Sequence, residues 1–430
     1  MNPMSPYGWF SRRRTTLKQA PTSRLARPVL RVESGLRFTE LLILGALMLA
    51  YVGSIAQPLF GVQLHQSIFA HLPLALLGPL LVLHLCGTSF NRDTPKWSNI
   101  VSACWPLLAL GLFALAGSSF AKWELNITET YLAFGIYLLL IPFYIALGAD
   151  SCRARSWAYA LMTIGLLISL AALAGELARR SSGVQLHEIQ YIVIGGFFAI
   201  YYASRNLLIK VLMLALIVAV AILNEKLTGY LVGIFAILHI LLTAGWRRLP
   251  ANWRGLYGIA ALMFVAVTAS TIAIIYVEFR EYLPSGNPQV RFQQYGAALQ
   301  QFAQSPLWGH AYLQGSGEVY TEGSLRLNIP THSDILDLLK HGGLIAFGLF
   351  FLGYWKLFKL IHQAVKLTRA DQLLQAYFLS VRFFQVMALL TFTFNPLLLK
   401  GPFLIVIWAN LGIAAGIALN IRSRQAEAAV

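Results

Sequence analysis

Charge is scarce in this chain. Of 430 residues only 12% are Asp, Glu, Lys or Arg, whereas 57% are hydrophobic and the mean hydropathy is +0.64. A soluble domain carries roughly twice that charged share, so the composition excludes a soluble globular enzyme. Cysteine is scarcer still: Cys86, Cys104 and Cys152 lie in or beside apolar runs or in a basic segment. Their spacing supports neither a disulfide framework nor a metal site. Acidic residues number 17 against 33 Lys and Arg, a net charge of +16. In a soluble protein that balance would suggest nucleic acid. Here the cations gather between apolar runs, which is how loops retained on the cytoplasmic side of a membrane read, and nucleic acid is not an expected partner. No small-residue cleavage pattern follows the first apolar run, so it is not read as a signal peptide.

What the chain has in abundance is apolar runs of about 18 residues or more, each able to cross the hydrocarbon layer. They predict about twelve spans, at 39–58, 68–86, 99–117, 129–149, 155–175, 189–202, 206–223, 228–244, 256–277, 333–358, 374–395 and 400–421. Basic residues fall in alternate loops: Arg92 and Lys96; Arg153 and Arg155; Arg205 and Lys210; Arg247, Arg248 and Arg254; then Lys356, Lys359, Lys366 and Arg369. The intervening segment 59–67 is uncharged and 118–128 balances one Lys against one Glu. The expected fold is an all-α integral membrane protein with both termini cytoplasmic. Residues 1–35, with Arg12, Arg13, Arg14, Lys18, Arg24, Arg27 and Arg31, form a basic tail against anionic headgroups of the bilayer. Residues 36–277 carry the first nine spans, 278–332 a large external loop, 333–421 the remaining spans, and 422–430 a second cytoplasmic tail.

A loop as long as 278–332 is a functional candidate. Within it, Pro284 to Pro288 read as a turn, and Phe292, Tyr295, Leu299 and Phe302 predict an amphipathic helix over 291–304 that Pro306 ends. A Gly-rich stretch with Gly309, Gly315, Gly317 and Gly323 leads to Pro330, Thr331 and His332. Cations on the outer face are exceptions that invite a reason. They are Arg179, Arg180, Lys226, Arg291 and Lys400. One alone is commonly an interfacial anchor; several together suit an anionic headgroup, above all a diphosphate. Helix starts near Thr228 and Ser333, both plausible N-caps, add partial positive charge on that face. His332, where the loop meets the tenth span, is placed to take a proton from a sugar hydroxyl. Its alternative is an interfacial ring satisfied by a loop carbonyl. Asp334 or Asp337 could orient it, whereas a metal site from His332, Asp334 and Asp337 is rejected on spacing. His341 is expected to pack within the helix; His187 and His310 remain open.

The run Thr331-His332-Ser333-Asp334-Ile335-Leu336-Asp337-Leu338-Leu339, followed by Gly342-Gly343-Leu344-Ile345, resembles a signature of the O-antigen ligase, polymerase and O-oligosaccharyltransferase superfamily. Upstream, Arg291-Phe292-Gln293-Gln294-Tyr295 and Ser305-Pro306-Leu307-Trp308-Gly309 resemble that family's Arg-aromatic segment and its Pro-Leu-x-Gly-x-Gly run. Ser333 stands where the family has Asn, Ala311 where it has Gly, and Lys340 or His341 where an acidic residue is common. The family's Arg before the eighth span is missing, and Lys226 is the nearest cation.

The resemblance implies a GT-C-type glycosyltransferase in the bacterial inner membrane, with its active site facing the periplasm. It implies transfer of glycan from undecaprenyl diphosphate to lipid A–core, with inversion and without cofactor, nucleotide sugar or divalent metal. It places the general base at His332 and a functional Arg at Arg291. Diphosphate binding then falls to Arg291, Lys226, Arg180 and Arg179. Within the superfamily the alternatives are an O-antigen polymerase and a protein O-oligosaccharyltransferase. The short run after the last span counts against the second. From another class, a secondary transporter also has about twelve spans. Arg382, inside the eleventh, is the feature that fits it.

Overall fold

Backbone N–H and C=O groups in an apolar layer must pair within the chain, and a helix achieves this segment by segment. The computed structural model describes residues 36–60, 66–87, 95–121, 131–150, 153–179, 190–223, 227–248, 287–314, 318–322, 325–329, 331, 333–394, 397–398 and 401–427. The predicted ninth span (256–277) and the basic tail (1–35) lie outside them. The helices are α1 (Phe38–Phe60), α2 (Gln66–Gly87), α3 (Trp97–Ser119), α4 (Leu132–Leu139), α5 (Ile141–Gly148), α6 (Ala154–Arg179), α7 (Gln190–Ala203), α8 (Leu207–Leu223) and α9 (Leu227–Arg248). They continue with α10 (Asn287–Gln304), α11 (Asp334–Leu367), α12 (Gln372–Phe394) and α13 (Gly401–Glu427).

Among the described residues, five helical stretches are long and apolar enough to cross a membrane: Trp97–Ser119, Ala154–Gly175, Asp334–Leu367, Gln372–Thr393 and Gly401–Glu427. Shorter apolar helices accompany them. The protein is an α-helical, multi-pass membrane protein. The observed helices begin within a few residues of the predicted spans, but α11 runs to Leu367 instead of 358 and α13 to Glu427 instead of 421; three further differences stand out. The fourth span is two short helices, α4 and α5, meeting at Leu140–Ile141 with Pro142 in the first turn of α5. Proline has no N–H to continue the ladder, which is why the helix restarts there. In the long loop the expected short helices are joined by a hairpin. β1 (Glu318–Glu322) pairs antiparallel with β2 (Leu325–Ile329), Glu318 opposite Ile329 and Glu322 opposite Leu325. The loop helix starts earlier than predicted, at Asn287, because Pro288 is tolerated in a first turn.

α13 is the centre of the assembly. It contacts α1, α5, α11 and α12, and its buried residues include every position from Phe403 to Ala418. That all-round burial explains why its sequence is apolar on every face.

The helix ends sort into two groups. At one end, Arg155 Nε pairs with Asp371 Oδ2 at 2.9 Å, and Arg205 donates to the Gln372 side-chain oxygen. Gln372 Nε2 donates in turn to the Ala203 carbonyl, and Asn420 Nδ2 to the Ala149 carbonyl, both at 2.8 Å. These are segments whose basic residues predicted a common side; it is called the basic end below. Close by, the fully buried Glu40 accepts from Arg153 Nη1 at 2.9 Å, and Asp150 Oδ2 lies 3.3 Å from the same nitrogen. At the other end, the loop end, the turn before α13 meets the start of α11, and residues 306–312 meet α11 at Lys340–Ile345.

Removing one partner of a buried ion pair strands the other charge. Glu40→Ala should therefore lower stability by about 3 kcal/mol. Asp371→Asn, whose partner Arg155 has a side chain 47% exposed, should stay within about 1 kcal/mol. Thermal unfolding of the purified protein in detergent measures both.

Candidate functional site

The site at the loop end is built on the start of α11. Ser333, in extended conformation, caps the helix: its hydroxyl accepts from the Leu336 N–H at 3.4 Å. This is the N-cap expected from sequence. Thr228 is not one, because α9 already begins at Leu227. Asp334 is buried, and its carboxylate accepts from the backbone N–H groups of Leu397 (2.7 Å) and Leu398 (3.0 Å). Asp334 thereby pins the turn before α13 to the start of α11.

Two turns further on, α11 breaks. Gly343 has φ 62° and ψ −162°, a conformation that only glycine adopts readily. The break frees backbone groups in a buried setting, and residues 306–312 of the loop satisfy them. His310 N–H donates to the Lys340 carbonyl at 3.0 Å, and Tyr312 N–H to the His341 carbonyl at 3.0 Å. In return Leu344 N–H donates to the Pro306 carbonyl at 2.8 Å, and Ile345 N–H to the Leu307 carbonyl at 3.2 Å. The approach leaves no room for side chains. A Cβ on Gly343 would lie 2.3 Å from the Leu307 oxygen, and one on Gly309 (φ +58°) 2.5 Å from the Lys340 oxygen. Ala311 (φ 49°) and Tyr312 (φ 59°) are also left-handed. Ala311 thus sits in a backbone conformation that suits glycine better than alanine.

This docking gathers a buried polar cluster. Tyr131, at the start of α4, lies with its ring centroid 4.7 Å from that of His341 and 5.1 Å from that of Tyr312. His310 and His341 are 6.4 Å apart by centroid. Phe113 of α3 meets Tyr312 and Trp308 edge-on. Asp337, Lys340 and His341 on α11 are all buried, as is Thr331 just before it. Burial, and then the Asp337 carboxylate, push the Tyr312 phenol well above its usual range. Burial, and then the Lys340 ammonium, hold the His310 imidazole below its ordinary value of 6.5, so that it is neutral at pH 7. His310 Nε2, both ring nitrogens of His341, Tyr312 Oη and Thr331 Oγ1 are buried without a hydrogen-bond partner among the described residues. Such groups are costly in a core and concentrate where a protein binds or reacts.

His332, Lys226 and Arg180, like His187 and Lys400, lie outside the described residues. Arg179 ends α6 and Arg291 sits in α10; their side chains are likewise outside. α10, which carries Arg291, packs against α11, with Gln294 and Ala298 buried, and Thr331 and Ser333 on either side of position 332 are buried too. Lys340, His341, Tyr131 and Tyr312 are the residues that sequence reasoning did not place in the site. A lysine inside an apolar span was a usable signal for the first; the others depend on how the loop docks. Among the described residues no group of His, Cys, Asp or Glu could hold a metal ion.

Arg382 lies away from this cluster, on α12 toward the basic end. It meets imidazoles rather than carbonyls: Nη2 lies 2.9 Å from His239 Nε2, and Nη1 3.4 Å from His362 Nδ1. A guanidinium only donates, so His239 accepts at Nε2, carries its proton on Nδ1 and donates to Tyr202 at 3.2 Å. Arg382 thus ties α12 to α9 and α11. No family model and no curated protein matches the chain.

Ala311→Gly should relieve left-handed strain and stabilise the protein by about 1 kcal/mol. Gly343→Ala should cost about 3 kcal/mol or more. Both are read as shifts in Tm. Because His310 titrates lower when folded, the unfolded state binds protons first as pH falls below 6.5. Stability should therefore decline from pH 6.5 toward pH 5, and His310→Gln should flatten the decline in a Tm-against-pH series.

Proposed function

We propose that this protein is an O-antigen ligase of the GT-C type, with about twelve spans, in the bacterial inner membrane. Its substrates are undecaprenyl-diphosphate-linked O-antigen and lipid A–core on the periplasmic side. The observation that carries this reading is the splice between α11 and the loop. The two stretches that resemble the superfamily are far apart in sequence, yet four backbone hydrogen bonds join Pro306–Tyr312 to Lys340–Ile345. A resemblance arising by chance would give two motifs no reason to interlock. The buried cluster of Tyr312, Lys340 and His341, with His310 beside it, further supports a water-poor polar site on α11.

In the proposed reaction, Arg291, Lys226, Arg180 and Arg179 hold the diphosphate of the donor. His332 takes the proton of the acceptor hydroxyl as that oxygen attacks the anomeric carbon. The new glycosidic C–O bond forms as the bond from that carbon to phosphate breaks. The electron pair leaves with the undecaprenyl diphosphate, whose growing charge the cations stabilise. A single displacement inverts the anomeric centre.

Purified protein, lipid-linked O-antigen and lipid A–core provide the test. His332→Ala should reduce transfer by about 100-fold or more, and Arg291→Ala by about 100-fold, with both variants monodisperse. Full transfer by a folded His332→Ala protein would remove the base assignment. In cells, deletion should abolish the long lipopolysaccharide ladder while lipid-linked glycan accumulates. Single-repeat lipopolysaccharide would instead make the protein a polymerase.

A further inference from the structure

A second candidate site lies at the basic end, remote from the loop. A cavity of about 510 Å³ opens between α3, α11 and α13, lined by Lys356, Lys359, Arg422, Asn99, Ser102 and Gln363 among others. Three cations face it, and no acidic residue is among its lining. None of the three forms an ion pair with a carboxylate among the described residues. Lys356 Nζ lies 5.9 Å from the ring centroid of Trp105, which is 44% exposed.

The depth of the cavity follows from helix lengths. At 1.5 Å per residue, Arg422 is about 32 Å along α13 from Gly401, and Asn99 about 30 Å from the loop end of α3. Two unbroken helices counted independently thus put it one hydrocarbon thickness, about 30 Å, from the loop end. That is the boundary between acyl chains and headgroups, where the exposed Trp97 at the start of α3 is at home. Leu360, Leu419 and Ala426 add apolar surface to the same walls. A soluble anion would need the cations; it would not need this depth or the apolar walls.

We propose that this cavity binds the phosphate headgroup of an anionic phospholipid from the leaflet at the basic end. Lys356, Lys359 and Arg422 neutralise the phosphate, Asn99, Ser102 and Gln363 hydrogen-bond to the ester and glycerol oxygens, and the acyl chains leave past Leu360. The site is separate from the proposed reaction and does not depend on it.

Native mass spectrometry of the detergent-purified full chain tests the assignment, with phosphatidylglycerol and phosphatidylcholine as probes. The anionic lipid should bind about tenfold more tightly. Lys356→Gln/Lys359→Gln/Arg422→Gln should abolish that preference, and the charge-preserving Lys356→Arg/Lys359→Arg/Arg422→Lys should keep it. Lys210→Gln/Arg247→Gln/Arg254→Gln, which removes equal charge from other basic segments, should also keep it. Should the first variant not be monodisperse, Arg422→Gln alone is read, with about a threefold loss expected. The proposal is overturned if the cavity variants keep the preference or the control variant loses it equally. It is also overturned if inorganic phosphate displaces the lipid, because the ligand is then a free anion.

Discussion

A backbone that crosses an apolar layer has to pair its own N–H and C=O groups, and α11 gives up part of that pairing at Gly343. The groups freed there are met by the backbone of residues 306–312, in four hydrogen bonds running in both directions. Leaving them unmet would cost several kcal/mol in a water-poor setting. The break and the loop are therefore one structure. The requirement reaches individual atoms: Gly309 and Gly343 lack side chains because a Cβ would fall within 2.5 Å of the opposing strand of backbone.

Fixing the loop to the helix has an electrostatic consequence. It seals Asp337, Lys340, His341 and Tyr312 from solvent together, and in a low dielectric each charge acts on its neighbours more strongly than it would in water. His310 and Tyr312 both have titration displaced toward the neutral form, by burial first and by Lys340 and Asp337 second. Asp334 is used otherwise, to hold the start of α13 against α11. The proposed chemistry draws on this arrangement because stabilising a leaving diphosphate is worth most where water does not compete.

The two ends of the bundle use charge in different ways. At the loop end, polar groups are buried and oriented by backbone. At the basic end, Arg155–Asp371 and Arg153–Glu40 tie helix ends together, while Lys356, Lys359 and Arg422 face an open cavity with no carboxylate in its lining. Arg382 is a third case, held inside the bundle by the rings of His239 and His362.

The sequence by itself determined the membrane class, the approximate helix limits, the amphipathic helix that Pro306 closes and the cap at Ser333. Each rests on local physics: hydrophobic length, proline's missing N–H, a hydroxyl one turn from a free amide. It also set the two motifs, one within the long loop and one where that loop meets α11. Only the tertiary structure decided that those motifs interlock, that Asp334 pins the α13 turn, and that Lys340, His341, Tyr131 and Tyr312 share one buried cluster. These outcomes depend on which backbone groups a broken helix leaves unpaired and on which distant segment arrives to pair them. No local pattern around Lys340 or Tyr312 carries that information, because the partner of each lies on another part of the chain.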